Sequence, residues 1–124
     1  MSKTVLIADG SQVMRRVIER SLRLAGLDAP QVFEAADGNE ALALAQQHRP
    51  DIVLTDISLG GMDGLQLLRQ LRQADETRAT PVIFISSQAV ESQVTEALEL
   101  GCAGYIRKPF TSDQVKDYIA PLFA

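Results

Sequence analysis

The chain has 124 residues, with 12 basic against 16 acidic groups and a formal net charge of −4. That length fits one domain over residues 1–124, the 46% apolar composition supplies a core without disulfides or structural metals, and an acidic chain with no Lys/Arg run is a poor non-specific binder of nucleic acid. The single cysteine, Cys102, excludes an internal disulfide, and with no secretory signal and no apolar run of bilayer length the expectation is a cytoplasmic protein without a membrane partner.

The first run, Thr4–Asp9 ("TVLIAD"), is apolar until it meets a carboxylate, and it predicts a strand. A helix period follows, with Met14, Val17, Ile18, Ser21, Leu22 and Ala25 on one face and Gly26 as the stop signal. Gln31–Ala35 predicts the second strand, and Gly38, Ala41, Leu42 and Ala45 form the stripe of the second helix. Asp51–Asp56 ("DIVLTD") is almost continuously apolar between its end residues, which suits a strand covered on both faces. Asp63 caps a third helix that turns Leu65, Leu68 and Leu71 inward. Pro81–Ser86 ("PVIFIS") is the fourth strand, followed by a helical stripe of Val90, Val94, Ala97, Leu98 and Gly101. Gly104–Arg107 is the fifth strand; Thr111 or Ser112 caps a last helix carrying Val115, Ile119 and Leu122.

Strands alternating with helices in this way predict an α/β fold, a doubly wound parallel sheet of five strands flanked by five helices. In open sheets of this kind ligands sit beyond the carboxyl ends of the strands, at a topological switch point. Those ends carry Asp9, Asp56, Ser86-Ser87 and Lys108-Pro109. Taken singly, each is an ordinary turn former, cap or solvated loop residue. Taken together in strand order, they predict a pocket of two carboxylates, a hydroxyl and an ammonium. Two carboxylates in one cleft repel each other and call for compensation, by a hard divalent cation with oxygen ligands or by a nearby lysine. A carboxylate compensated in this way can act as a nucleophile. Phosphoryl transfer in particular asks for positioning and charge stabilisation more than for covalent help.

Four stretches, "VLIADGS", "DIVLTDISLGGMDG", "PVIFISSQ" and "GYIRKPF", occur in one order and spacing from end to end. On them the chain resembles a receiver domain of two-component response regulators, of the single-domain, chemotaxis-receiver kind. The resemblance implies a flavodoxin-like sheet of strand order 2-1-3-4-5. It implies that Asp56 is the phosphoacceptor, loaded by a histidine kinase or a histidine phosphotransfer protein. Asp9, Asp56 and the backbone carbonyl of Ser58 become the ligands of Mg2+, and Ser86 and Lys108 the contacts to the phosphoryl group, with a cis bond between Lys108 and Pro109. Ser86 and Tyr105 become the switch pair, repacking the face of the fourth helix, fifth strand and fifth helix for an unknown downstream protein. The implied role is a signalling phosphoacceptor and not an enzyme in the ordinary sense.

Three positions depart from the family pattern. Gly10 stands where a second acid usually ligates the metal, so the expectation is weakened Mg2+ binding and slow phosphorylation from small donors. The alternative is a degenerate receiver, a phosphorylation-independent interaction module. Gly60 replaces a usual proline, which makes the loop after Asp56 permissive. Ser87 replaces a smaller residue and keeps the access route open, which Ser58 and Gln88 flank. His48 reads as a cation near the carboxyl end of the second helix, Cys102 as a small packing residue. Arg15, Arg16, Arg20 and Arg23 read as a solvated face or, on the resemblance, a kinase-docking surface. Two other functions fit less well. A flavin site needs a hydroxyl- and glycine-rich phosphate loop after the first strand, where "DGSQVMRR" stands. A haloacid-dehalogenase-type phosphatase needs a second Asp two residues beyond its nucleophile, but positions 11 and 58 are both Ser.

Overall fold

A computed structural model describes residues 3–27, 31–87 and 90–122; Gln88 lies outside the described residues. Five strands, β1 (Thr4–Ala8), β2 (Gln31–Ala35), β3 (Ile52–Thr55), β4 (Val82–Ser86) and β5 (Gly104–Arg107), form one sheet in the order β2-β1-β3-β4-β5. Every pairing is parallel. Helices α1 (Gln12–Leu24), α2 (Gly38–His48), α3 (Gly64–Gln73), α4 (Glu91–Glu99) and α5 (Ser112–Ile119) alternate with the strands, and a 3-10 turn covers Ala120–Leu122. The expected fold class and strand order both hold. No helix among the described residues is long and apolar enough to cross a membrane.

The apolar runs are buried because each strand is covered twice. Side chains alternate across a strand, so Leu6, Ala8, Val53 and Phe84 join the core with Ala41, Ala45, Leu68, Leu71 and Ala97. Val5, Ile7, Leu54, Ile83 and Ile85 face the other way, onto Ile18 and Leu22 of α1 and Val115 and Ile119 of α5. Thus α1 and α5 cover one face of the sheet, and α2, α3 and α4 cover the other.

Local signals set the ends of the elements. Ser11 accepts the Met14 N–H, and Asp37 accepts the Glu40 N–H. Asp63 with Gln66, and Thr111 with Gln114, form reciprocal capping boxes, so Thr111 is the cap of α5. Helix α4 starts at Val90 with no side-chain cap. Strands β1 and β3 stop one residue earlier than the apolar runs suggest, which leaves Asp9 and Asp56 just past the strand ends. Both remain on the ladder through their amides: Asp9 N–H donates to Ala35 O at 3.1 Å, and Asp56 N–H to Ala8 O at 3.0 Å.

The helical stripes need one correction. Val17, Val90, Leu98 and Leu122 were expected inward, and all four are exposed. Consecutive helical residues are about 100° apart, and α4 meets the sheet through Ala97, which is fully buried. Leu98, one position on, is thereby turned off the contact line.

The loop between β3 and α3 sits against the start of α2. Gly38 N–H donates to Gly60 O at 3.1 Å, and Asp37 and Gly60 form an isolated parallel bridge. The permissive Gly60 therefore lies in a loop held by backbone bonds. The approach leaves no space for a side chain: a Cβ at Gly38 would sit 1.7 Å from the Met62 carbonyl oxygen. Gly38→Ala is expected to destabilise the fold by about 3 kcal/mol, through displacement of this loop. Urea unfolding measures it, and a loss below about 0.5 kcal/mol contradicts the contact.

Candidate functional site

Parallel register brings the strand ends to one edge: Ala8 lies beside Thr55, and Thr55 beside Phe84. The residue after Ala8 is Asp9 and the residue after Thr55 is Asp56, so the two carboxylates leave adjacent strands side by side. They are 4% and 9% exposed. Lys108 arrives from the far side of the sheet. Its N–H donates to Ser86 O at 2.8 Å, prolonging the β4–β5 ladder, and the following Lys108–Pro109 bond is cis, as the resemblance implied.

The ammonium of Lys108 joins the two acids. Nζ donates to Asp9 Oδ2 at 2.8 Å and to Asp56 Oδ2 at 2.9 Å. The other oxygens are held by the chain itself: Ser11 N–H donates to Asp9 Oδ1 at 2.9 Å, and Ser58 N–H to Asp56 Oδ1 at 3.0 Å. Each carboxylate thus has one oxygen on an amide and one on a shared cation. These charge-assisted bonds offset both the desolvation and the mutual repulsion of the acids. Two carboxylates and one ammonium leave the cluster with one net negative charge.

The site shifts the titration of Lys108. Burial by itself lowers a lysine, but the hydrogen bonds to Asp56 and Asp9, with the charges of both carboxylates, outweigh it and hold the ammonium above its ordinary range. A raised lysine contributes stability that is complete below the unfolded value, about 10.4, and that is lost as pH rises through the folded value. In Lys108→Met this contribution is absent. Urea-unfolding stability between about pH 9 and 12 should therefore fall less steeply with pH than in the native chain. Equal slopes in the two chains contradict the assignment.

Ser86 closes β4 and is 2% exposed. Tyr105 is half-buried, its ring centroid 6.0 Å from that of Phe84. Ser58 meets Asp56 through its amide. His48 is remote from the acids and stacks on Phe33, centroids 3.9 Å apart. Cys102 packs at the edge of the core under α2, α3 and α4, and burial pushes its thiol up.

One residue at the site escaped the sequence reading. Arg15 does not belong to a purely solvated face: Nη1 donates to the backbone oxygen of Asp9 at 2.7 Å, and Nε pairs with Glu34 Oε1 at 2.9 Å. It braces the turn that carries Asp9. The signal was its position six residues on, one turn into α1, where a long side chain points back toward the helix start.

At Gly10 a Cβ would meet nothing closer than Ala36 O, at 3.8 Å. The backbone there tolerates a side chain, so packing does not demand this glycine. Among the described residues no group of three or more Asp, Glu, His or Cys is arranged to hold a metal. Two adjacent carboxylates are nevertheless a donor set that suits a hydrated magnesium ion, which takes one or two carboxylates and keeps several waters.

Known proteins share this arrangement of elements. The sequence profile of the response regulator receiver domain matches residues 5–120. Chemotaxis protein CheY-3 of Vibrio cholerae serotype O1 is 37% identical over 119 residues, which span 96% of this chain and 90% of that protein. Among solved structures, chemotaxis protein CheY4 of Vibrio cholerae superposes with a TM-score of 0.86 at 26% identity, over 98% of this chain and 99% of that one. The receiver domain of the sensor histidine kinase PA1611 from Pseudomonas aeruginosa PAO1, with a magnesium ion coordinated in its active-site cleft, has a TM-score of 0.84 at 26% identity over 100% of both chains. A profile match over residues 5–120 and a relative 37% identical over 96% of the chain leave one assignment: this protein belongs to the response regulator receiver domain family.

Proposed function

We propose that Asp56 is the phosphoacceptor of this receiver, taking a phosphoryl group from a phosphohistidine of a histidine kinase or phosphotransfer protein in the cytoplasm. The observation that carries the reading is the double contact of Lys108 Nζ with Asp9 and Asp56. It builds a nearly buried, charge-compensated carboxylate at the sheet edge, beside a hydroxyl residue.

In the transfer, an oxygen of Asp56 attacks phosphorus, the P–N bond to the imidazole breaks, and its electron pair stays on the departing nitrogen. The Ser58 N–H bond holds the carboxylate in a fixed plane. Lys108 already stands at the position where negative charge gathers, so it stabilises the phosphoryl oxygens with little reorganisation. The Ser86 hydroxyl supplies a further hydrogen bond to the phosphoryl group. A magnesium ion, as in the similar PA1611 receiver, would be held by Asp9, Asp56 and the Ser58 carbonyl, and when bound it offsets the charge of the incoming group. With Gly10 in place of a second acid this chain holds the metal weakly.

The acylphosphate draws Ser86 toward it, Tyr105 repacks, and the surface of α4, β5 and α5 changes its affinity for a downstream protein. Such a signal requires different partner affinities in the two states. Residues 1–124 act here as one receiver unit. Gly10 is also the specific observation that favours the second reading, a docking module independent of phosphorylation.

Incubation with acetyl phosphate, with and without Mg2+, followed by intact mass, separates the two. The expected result is one phosphoryl group per chain, formed only with the metal and at high metal concentration. No mass gain under either condition overturns the phosphoacceptor reading and leaves the docking module.

A further inference from the structure

The softest joint of the acid cluster lies between Asp9 and Gly10. Glycine accepts most backbone conformations. Gly10 is exposed, and the atom nearest to a Cβ there is Ala36 O at 3.8 Å, so packing does not fix the peptide that leaves Asp9. Yet the orientation of that peptide sets the Asp9 carboxylate. Oδ1 accepts the Ser11 N–H at 2.9 Å, a bond that closes over the Asp9–Gly10 peptide, and Oδ2 accepts Lys108 Nζ at 2.8 Å. A turn of the Asp9 carbonyl would break the first bond and release the carboxylate to rotate.

Arg15 holds that carbonyl. Nη1 donates to Asp9 O at 2.7 Å, while Nε donates to Glu34 Oε1 at 2.9 Å. Two donors of one planar fork thus span from β2 to the turn after β1. Glu34 is in reach because it lies beside Ile7 in the β1–β2 register, and Ile7 faces the side of the sheet covered by α1 and α5. The Arg15 side chain is 14% exposed and that of Glu34 41%. An ion pair this open to water contributes little to stability. What the geometry supplies is direction: the guanidinium does not turn away from Asp9 without losing Glu34.

We propose that Arg15, anchored by Glu34, is a positioning residue for magnesium binding, locking the Asp9–Gly10 peptide so that the Asp9 carboxylate stands ready beside Asp56. The proposal deepens, and rests on, the reading in which Asp9, Asp56 and the Ser58 carbonyl hold the metal. Its sign separates it from simple electrostatics. A cation near a metal site repels Mg2+, so removing Arg15 as a mere charge strengthens metal binding. Removing it as a positioning residue weakens binding, because the carboxylate must then be ordered at the moment the metal arrives.

Titration of the full chain with MgCl2, followed by the amide NMR shifts of Ser11 and Ser58, reads affinity without any phosphoryl transfer. Arg15→Met keeps the aliphatic stem and removes the donors, and Mg2+ affinity should fall about tenfold. Arg15→Lys keeps the charge, but one ammonium does not reproduce the fork, and affinity should fall about threefold or more. Arg16→Met, at the next and exposed position, removes the same charge and should leave affinity within about twofold. Arg15→Met/Glu34→Ala should bind Mg2+ within about twofold of Arg15→Met, since Glu34 acts through Arg15. In the metal-free chain, hydrogen exchange at the Ser11 amide should be about fivefold faster in Arg15→Met. Unchanged or tighter Mg2+ binding in Arg15→Met overturns the proposal while leaving the metal site in place, and so does native affinity in Arg15→Lys. A double variant much weaker than Arg15→Met overturns the anchoring by Glu34. A native chain whose amides do not respond to Mg2+ refutes the metal reading itself, and the proposal with it.

Discussion

Asp56→Asn is expected to take up no phosphoryl group from acetyl phosphate at any Mg2+ concentration, while folding like the native chain. The carboxamide has the shape of the carboxylate, and its oxygen still accepts the Ser58 N–H that now meets Asp56 Oδ1 at 3.0 Å. Lys108 keeps its second partner, Asp9, at 2.8 Å. What disappears is the anionic nucleophile, since an amide oxygen does not form a stable acylphosphate. Intact mass after incubation gives the loss of modification, and urea unfolding gives the stability, expected within about 1 kcal/mol of the native value. Uptake at the native level in this variant would place the acceptor elsewhere, with Asp9 the first position to examine. A variant that does not fold would show instead that the carboxylate of Asp56 is structural.

Gly10→Asp is expected to strengthen magnesium binding about tenfold or more, because a third carboxylate beside a divalent ion contributes more than the roughly 1.4 kcal/mol that tenfold represents. The substitution meets no steric obstacle, since the nearest atom to a Cβ is Ala36 O at 3.8 Å, and Gly10 is exposed. Without metal the added charge meets Asp9 and Asp56, so the metal-free protein should lose stability, by about 1 kcal/mol. Calorimetric titration with Mg2+ measures the affinity, and the half-saturating metal concentration in donor-driven phosphorylation measures its consequence. The dissociation constant and the half-saturating concentration should fall together. Native half-saturation left unchanged by Gly10→Asp would show that the missing acid does not limit the site.

These two variants pull apart the two readings that Gly10 leaves open. A receiver weakened at its metal gains modification when the acid is restored. A docking module whose cleft has drifted in other ways does not.

Much of this protein was legible before any coordinates. The strand runs and helix periods were read from local spacing, and the acids at strand ends from the rule that parallel α/β sheets place ligands there. Thr111 was one of two candidate caps, and only the reciprocal bond with Gln114 decided between them. Arg15 was read with its arginine neighbours because charge spacing on a helix shows a face, not what crosses from it to the preceding turn. The inward stripe of α4 failed at Val90 and Leu98 because periodicity gives an arc of apolar residues and not the width of the contact that will cover it.

By itself, the order of residues determined the α/β alternation, the strand-end positions of Asp9, Asp56, Ser86 and Lys108, and the glycine where a metal-binding acid is expected. Those properties are local, or depend on spacing along one chain. Tertiary structure alone decided that Lys108 bridges both acids, that Arg15 braces Asp9, and that Leu98 and Tyr118 remain exposed. Each of these depends on segments distant in sequence and on how closely one element approaches another, a distance that residue spacing does not encode.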